Sequence, residues 1–118
     1  MSIEMVKVSE KGKQQLITLK KRTGIENWNI LCRWALCVSL AESSVPPHED
    51  IITDSNIEMS WKTFAGEFSE IYLCLLKQRI FEDYGNNQDD YYYFLKLHLH
   101  RGISYLVNKV YKLEDFIL

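Results

Sequence analysis

The residues most able to do chemistry in this sequence are basic side chains near its beginning. Residues 1–34 hold seven basic residues against three acidic ones, whereas the rest of the chain holds seven against thirteen. The net charge of the whole chain is −2, so the positive charge is concentrated in one region. This asymmetry is typical of a chain that contacts phosphate groups. The candidate phosphate-binding residues are Lys7, Lys11, Lys13, Lys20, Lys21, Arg22 and Arg33.

Structural roles are the alternative explanation for some of this charge. The basic run 20–22 comes at the end of a predicted helix, where positive side chains interact favourably with the helix dipole. Arg33 lies within an apolar helix, so an ion pair with Glu26 or Glu42 is as reasonable there as a phosphate contact. An ordinary solvated helix surface and a DNA-binding surface therefore both stay open on composition.

Other reactive residue types lack the spacing of a known site. Cys32, Cys37 and Cys74 lie in apolar helical runs without a CxxC pair, so we expect buried, reduced thiols. His98 and His100 are two residues apart, which places them on different faces of a helix and disfavours a metal pair. The glycines are isolated, which argues against a glycine-rich phosphate loop. We therefore expect no cofactor.

Two alternatives to simple DNA binding come from the rest of the chain. Asp50 and Asp54 lie in an acidic stretch and can in principle hold a divalent ion at a phosphate, as a metal-dependent nicking enzyme would require. Their loose spacing is a weak basis for catalysis, so we expect a non-enzymatic protein. The second alternative is an assembly subunit that bridges other proteins.

Local patterns predict a short strand before the basic run. Residues 3–8 alternate loosely, with Val6 and Val8 on one face and Met5 and Lys7 on the other. The outward face of this strand therefore carries one basic residue.

Two helices are predicted after the strand. Ser9 is a suitable N-cap and Gly24 a suitable C-cap for a helix over residues 10–22. The next helix, residues 28–40, is apolar on nearly all sides and has only a narrow polar stripe. Such a helix must be buried in a core or between subunits, so we expect an oligomer. We expect that a lysine in place of Leu36 would dissociate the oligomer or unfold the chain.

The remainder is predicted to be an acidic connector followed by helices. Ile57, Met59 and Trp61 alternate briefly, which allows a second short strand, and Asp89 or Asp90 can cap a long last helix. No apolar run is long enough to span a bilayer, so we expect a cytoplasmic protein. We predict a single helical domain over 1–118, composed of a basic segment over residues 1–42, a connector over 43–60 and C-terminal helices over 61–118, with one of these helices over 65–82.

The order of strand, basic helix, turn and apolar helix is the pattern of ribbon-helix-helix proteins, in which two chains pair their strands and interlock their helices. In that arrangement Met5 and Lys7 face DNA, and residues 23–29 offer backbone N–H groups to a phosphate. Met5 and Lys7 are poor base readers, so contact with the DNA backbone is expected more than sequence reading. The predicted fold is mainly α, with a short N-terminal strand, assembling as an oligomer.

A family resemblance is carried by residues 19–40, LKKRTGIENWNILCRWALCVSL, which closely resemble the DndE-type DNA sulfur-modification proteins. Residues 61–67, WKTFAGE, and 97–106, LHLHRGISYL, look like family positions too, so the resemblance spans most of the chain. These proteins are small bacterial components of the machinery that replaces a non-bridging phosphate oxygen of DNA by sulfur.

The resemblance implies a mainly helical protein that forms a homotetramer and binds duplex DNA through surface lysines, with a preference for nicked duplex. It also implies that sulfur mobilisation and ATP-driven steps belong to partner proteins of the same modification system. Carried over by position, it supports Lys20, Lys21, Arg22 and Arg33, whereas Lys7, Lys11 and Lys13 follow from charge alone.

Overall fold

The computed structural model of the chain describes residues 3–86 and 88–116, which are mostly helical. The strands are β1 (Met5–Lys7) and β2 (Glu58–Ser60), and the helices are α1 (Glu10–Thr23), α2 (Trp28–Ala41), α3 (Trp61–Ala65), α4 (Ser69–Tyr84) and α5 (Tyr91–Lys109). Two short 3-10 helices, Gly66–Phe68 and Leu113–Phe116, follow α3 and α5, respectively. The predicted mainly helical fold with a short N-terminal strand is confirmed. Within the described ranges, no helix is long and apolar enough to cross a membrane.

The two strands form a small antiparallel sheet inside one chain. Val6 lies opposite Met59 and both are buried, whereas Lys7 lies opposite Glu58 and both are exposed. The predicted facing of the strand residues and the second strand are therefore confirmed. The sequence predicts a ribbon made by two chains, but β1 takes β2 of its own chain as its partner. The connector is long enough to bring a second alternating segment alongside β1, which explains the difference.

Local capping determines where α1 begins and ends. The hydroxyl of Ser9 accepts a hydrogen bond from a first-turn backbone N–H, and Gly24 adopts a left-handed φ of 77°. The N–H of Gly24 donates to the carbonyl of Lys20, which closes the last turn. Leu16 and Leu19 are fully buried, so the helix faces the core with its apolar side. The predicted helix over 10–22 is confirmed.

The second helix, α2, is buried on one side only. Its inner side is fully buried and consists of Leu31, Cys32, Ala35 and Leu36. Its outer side is open, since Trp34 is 41% exposed and Cys37 is also exposed. The expectation of three buried cysteines is wrong for Cys37 and Cys74, because both are exposed. Periodicity shows that a helix face is apolar, but it does not show that the same chain covers that face.

The predicted helix over 65–82 is interrupted near its beginning. A short helix, α3, starts directly after Ser60, whose hydroxyl accepts a hydrogen bond from the backbone N–H of Thr63. Gly66 then adopts a φ of 64°, which an L side chain rarely tolerates, so α3 ends and α4 starts separately at Ser69. The helical periodicity is continuous, but the backbone bends at this glycine.

The last helix, α5, packs on α2 most extensively and also contacts α1 and α4. Asp90 caps it as predicted, because its carboxylate accepts the backbone N–H of Tyr93 at 3.2 Å. The core lies between α5 and these three helices and extends to the sheet and α3, where Val6, Met59 and Phe64 are buried. Of the apolar C-terminal tail, Phe116 packs on Trp34 with ring centroids 4.7 Å apart, and residues 117–118 lie outside the described ranges.

Two arginines fasten the connector to the end of α2. Arg79 donates to the carbonyls of Leu40 and Ser44 at 3.0 and 2.6 Å. Arg101 donates to the carbonyls of Ser39 and Ser44 at 2.9 and 2.8 Å. These bonds satisfy carbonyl groups that a helix C-terminus otherwise leaves open. The connector is therefore held firmly although it has no helix or strand between Glu42 and Ile57.

Candidate nucleic-acid interface

Five of the seven predicted basic residues lie on α1, namely Arg22 and four lysines. Lys11 and Lys21 are exposed, and Lys13 and Lys20 are half-buried. The ammonium group of Lys20 lies 4.9 Å from the centre of the Trp28 ring, which links the end of α1 to the start of α2. Among the described residues, none of these four lysines has a carboxylate within 4.0 Å. Their charge is therefore free to meet an external anion.

Lys7 lies apart from this group on the outward face of β1. It is directly opposite Glu58 in the antiparallel register, so some of its charge is offset across the strands. Met5, its neighbour on that face, is 38% exposed. The strand thus presents one lysine and one methionine to solvent, as expected from its alternation.

Arg22 has a structural role at the end of α5. Its guanidinium donates to the carbonyl of Val107 at 2.6 Å and to that of Val110 at 3.3 Å. It also lies 4.5 Å from the centre of the Tyr111 ring. Both hydrogen bonds come from Nη1, and they satisfy carbonyl groups at the C-terminus of α5.

Arg33 lies against a bend in the backbone and in an apolar groove. A β-carbon on Gly66 would be 2.9 Å from its Nη1 atom, so the guanidinium lies directly over this glycine. Trp34, Cys37 and Tyr72 line the groove around it. The alternative ion pair with Glu26 or Glu42 is not formed in the described ranges of the chain. Instead, the Glu42 carboxylate accepts the backbone N–H of Ser44 at 3.3 Å, which lowers its pKa.

Two further lysines lie at the same end of the molecule and were missed from the sequence. Because Arg22 binds the carbonyls of Val107 and Val110, the end of α5 lies beside the end of α1. The exposed Lys109 and Lys112 belong to the segment that carries these two carbonyls, and the ammonium group of Lys109 lies 5.5 Å from the centre of the Tyr105 ring. They are separated from Arg22 by more than 80 positions in sequence, so local charge density could not reveal them.

The start of α2 lacks a side-chain cap. Asn27 is the N-cap residue, but its side chain makes no capping hydrogen bond. Asn29 directs its amide to the carbonyl of Thr63 at 3.2 Å. The first backbone N–H groups of α2 are thus not satisfied by a side-chain cap, in the segment predicted to offer them to a phosphate.

The two histidines of α5 have separate structural partners. Nδ1 of His98 is hydrogen-bonded to the hydroxyl of buried Ser39 at 2.8 Å, and Nε2 of His100 accepts the backbone N–H of Ser9 at 3.0 Å. Burial lowers the pKa of His98 to about 4, helped by nearby Arg79 and Arg101, and burial also lowers the pKa of His100. Both rings are neutral at pH 7, and they point to different elements as expected.

The acidic connector does not form a metal site within the residues that the structure describes. Asp54 accepts the backbone N–H of Glu10 at 3.0 Å, so it caps the start of α1. No group of three or more histidine, cysteine or carboxylate side chains among the described residues is placed to hold a metal ion.

Comparisons with known proteins agree with one another. The family model of DNA sulphur modification protein DndE matches residues 5–113. The fold is similar to the crystal structure of DndE from Escherichia coli B7A, which is involved in DNA phosphorothioation modification: TM-score 0.72, identity 24%, covering 90% of this chain and 98% of that one. It is also similar to a DndE variant with two glycine-to-lysine substitutions, with TM-score 0.69, identity 21% and coverage of 91% and 99%. No curated protein matches the sequence significantly.

Proposed function

Because the chain belongs to the DndE family of DNA sulphur modification proteins, we propose that it is a non-catalytic DNA-binding component of a bacterial phosphorothioation system. The observation that carries this proposal is the group of α1 lysines without carboxylate partners among the described residues. A protein that handles the DNA backbone needs such charges, and they require no base-specific geometry.

The DNA contact is proposed at the end of the molecule where α1 and α5 finish. Lys20 and Lys21 end α1, and Lys109 and Lys112 are in the segment at the end of α5 that Arg22 binds, so all four are candidates for this contact. Several cations that meet one duplex release counterions from it, so binding should depend steeply on salt. A preference for nicked duplex belongs to the proposal and rests on the family resemblance.

The proposed assembly is a homotetramer that works in the cytoplasm with the other modification proteins. Supporting this, α2 and α4 leave large apolar side chains exposed in the single chain. Partner proteins would supply the sulfur chemistry and the ATP-driven steps. The chain itself would position the DNA.

Affinity for nicked and intact duplex across a salt series tests this function. In the wild type, the log–log slope should be about −0.9 per phosphate neutralised. Changing exposed Lys21 and Lys112 together to glutamine should make the slope shallower by about 2 and weaken binding to both duplexes. The matched control changes Lys62 and Lys77, also exposed but on α3 and α4, to glutamine. A flat salt dependence, or equal loss in both double variants, would refute the proposed site.

A further inference from the structure

The aromatic side chain of Tyr111, just after α5, is held by an arginine and open to solvent. The guanidinium of Arg22 lies over the Tyr111 ring, 4.5 Å from the ring centre. Tyr111 is nevertheless 62% exposed. A ring with both faces covered could not be exposed to this extent, so the face opposite Arg22 is open. Tyr111 therefore presents a flat aromatic surface to solvent, with a positive charge behind it.

This arrangement distinguishes Tyr111 from the other exposed aromatic side chains. Among the residues that the structure describes, only Tyr111 is both more than 40% exposed and covered by a cation on one ring face. The attraction between the guanidinium and the ring electrons holds the ring in one orientation. The exposed aromatic residues compared are Trp34, Phe68, Phe81, Tyr84 and Tyr111.

The backbone on both sides of this ring is fixed by hydrogen bonds. The N–H of Val110 donates to the carbonyl of Leu106 at 2.7 Å. The carboxylate of Asp115 accepts the N–H groups of Tyr111 and Lys112 at 2.8 and 3.2 Å. The ring is therefore positioned before any ligand arrives, which lowers the entropy cost of stacking a second ring on it.

Positive side chains flank the ring and can hold the phosphates of a ligand. Lys112 follows Tyr111 directly and Lys109 precedes it by two positions, and both lysines are exposed. The nearby carboxylate of Asp115 is directed at backbone N–H groups, which offset part of its charge. Lysines beside an open aromatic ring are the combination that binds nucleotides outside a duplex stack, because the lysines contact phosphates while the base stacks on the ring.

We propose that Tyr111 is a stacking platform for a nucleobase that has left the duplex stack. The inference rests on the proposed function, because it assumes that DNA meets the end of the molecule where α1 and α5 finish, and it adds the class of DNA that is recognised there. In an intact duplex, neighbouring bases cover both faces of each base, so none is free to meet Tyr111. At a strand break or a bulge, a base can turn outward, and stacking on Tyr111 replaces the contact that it has lost.

The platform is tested by the affinity for three duplexes of equal length: intact, nicked, and carrying a one-nucleotide bulge. The wild type should bind the nicked and bulged duplexes about fivefold or more tighter than the intact one. Tyr111→Leu keeps an apolar side chain but removes the ring, so this preference should disappear while affinity for the intact duplex stays within about twofold. The salt slope should be unchanged, because no charge is altered.

Two matched variants show whether the ring itself is responsible. Tyr111→Phe keeps the ring without its hydroxyl and should restore the preference for interrupted duplexes. Phe81→Leu removes an exposed ring on α4 and should keep the wild-type preference. Loss of the preference in Tyr111→Phe would overturn the platform, and so would an equal loss on all three duplexes in Tyr111→Leu.

A bulge made of 2-aminopurine reports stacking directly, because the fluorescence of this base is quenched when it stacks on another ring. At saturation, the wild type and Tyr111→Phe should quench it, and Tyr111→Leu should leave it brighter. Equal quenching by all three proteins would overturn the platform.

Failure of the platform and failure of the proposed function give different results. If the wild type binds the intact and bulged duplexes equally well, the platform is wrong but DNA binding stands. If the wild type binds none of the three duplexes, both proposals are overturned.

Discussion

The carbonyl oxygen of Ala35 lies where a side chain on Gly102 would have to begin, since a β-carbon at Gly102 would be 1.7 Å from it. Ala35 is fully buried on α2, and Gly102 is buried on α5. The two backbones therefore touch at the most extensive helix contact of the fold. This crossing depends on the absence of one methyl group.

Replacing Gly102 by alanine should destabilise the protein by about 3 kcal/mol, because the backbone of α2 must move to admit the new atom. The direction of this change in stability is informative, because alanine in place of glycine normally stabilises a helix by about 1 kcal/mol. Urea unfolding followed by circular dichroism measures the change. Asn108→Ala, on an exposed position of the same helix, is the control and should be neutral or slightly stabilising. A raised midpoint for G102A would contradict the crossing.

Stability should fall on acidification because of His98. Its pKa is lowered from 6.5 to about 4 by burial and by nearby Arg79 and Arg101, so the unfolded chain binds a proton more readily than the folded one. The contribution of neutral His98 is present above pH 6.5 and is lost as the pH falls towards 4, by up to about 3 kcal/mol. His100, whose pKa is also lowered, acts in the same direction.

This pH dependence is checked by measuring the free energy of unfolding at a series of pH values, from neutral pH down to the pKa of His98 in the folded protein. His98→Asn keeps a side chain that can hydrogen-bond with the Ser39 hydroxyl but does not titrate, so its profile should be flatter than that of the wild type. His48→Gln, at an exposed connector position, should keep the wild-type slope. Identical slopes in all three proteins would show that His98 does not govern the acid response.

The features of the fold that the sequence predicts well are those with local causes. Ser9, Gly24 and Asp90 act within a few residues of themselves, and each caps a helix as expected. The break at Gly66 was missed because its left-handed backbone leaves no mark in the apolar spacing. The partner of β1 was also missed, since strand pairing depends on a segment far away in the sequence.

The candidate site was harder to predict, because charge counts do not show where a side chain is directed. Arg22 looked like a phosphate ligand, but its partners are carbonyls 85 and 88 positions away. The family resemblance predicts a phosphate contact for Arg33 as well, but its side chain lies in an apolar groove over Gly66. Only the folded chain separates basic residues that hold the structure together from those that face outward.

Arg22 and Lys21 are adjacent in sequence and should give opposite phenotypes. Arg22→Met should cost about 2 kcal/mol of stability, because the carbonyls of Val107 and Val110 lose a charged donor. Its salt slope for DNA should change little. Lys21→Met should leave stability within about 0.5 kcal/mol and make the slope shallower by about 0.9.

Both variants carry the same loss of one charge, so each controls for the other. Urea unfolding gives the stability, and a fluorescence titration of labelled duplex at several salt concentrations gives the slope. If Arg22→Met changes the slope as much as Lys21→Met does and unfolds like the wild type, then Arg22 contacts DNA and its role at the end of α5 is secondary.

Leu36 separates the role of α2 in its own core from its role between subunits. It is fully buried within a single chain, whereas the adjacent Cys37 is exposed. Leu36→Lys should therefore unfold the chain at every protein concentration, and the milder Leu36→Ala should cost about 2–5 kcal/mol. Cys37→Ser should unfold within about 0.5 kcal/mol of the wild type when both are fully dissociated. Urea unfolding at two widely separated protein concentrations makes the distinction. A Leu36→Ala penalty that disappears at the lower concentration would place Leu36 between subunits and not in the core of its own chain.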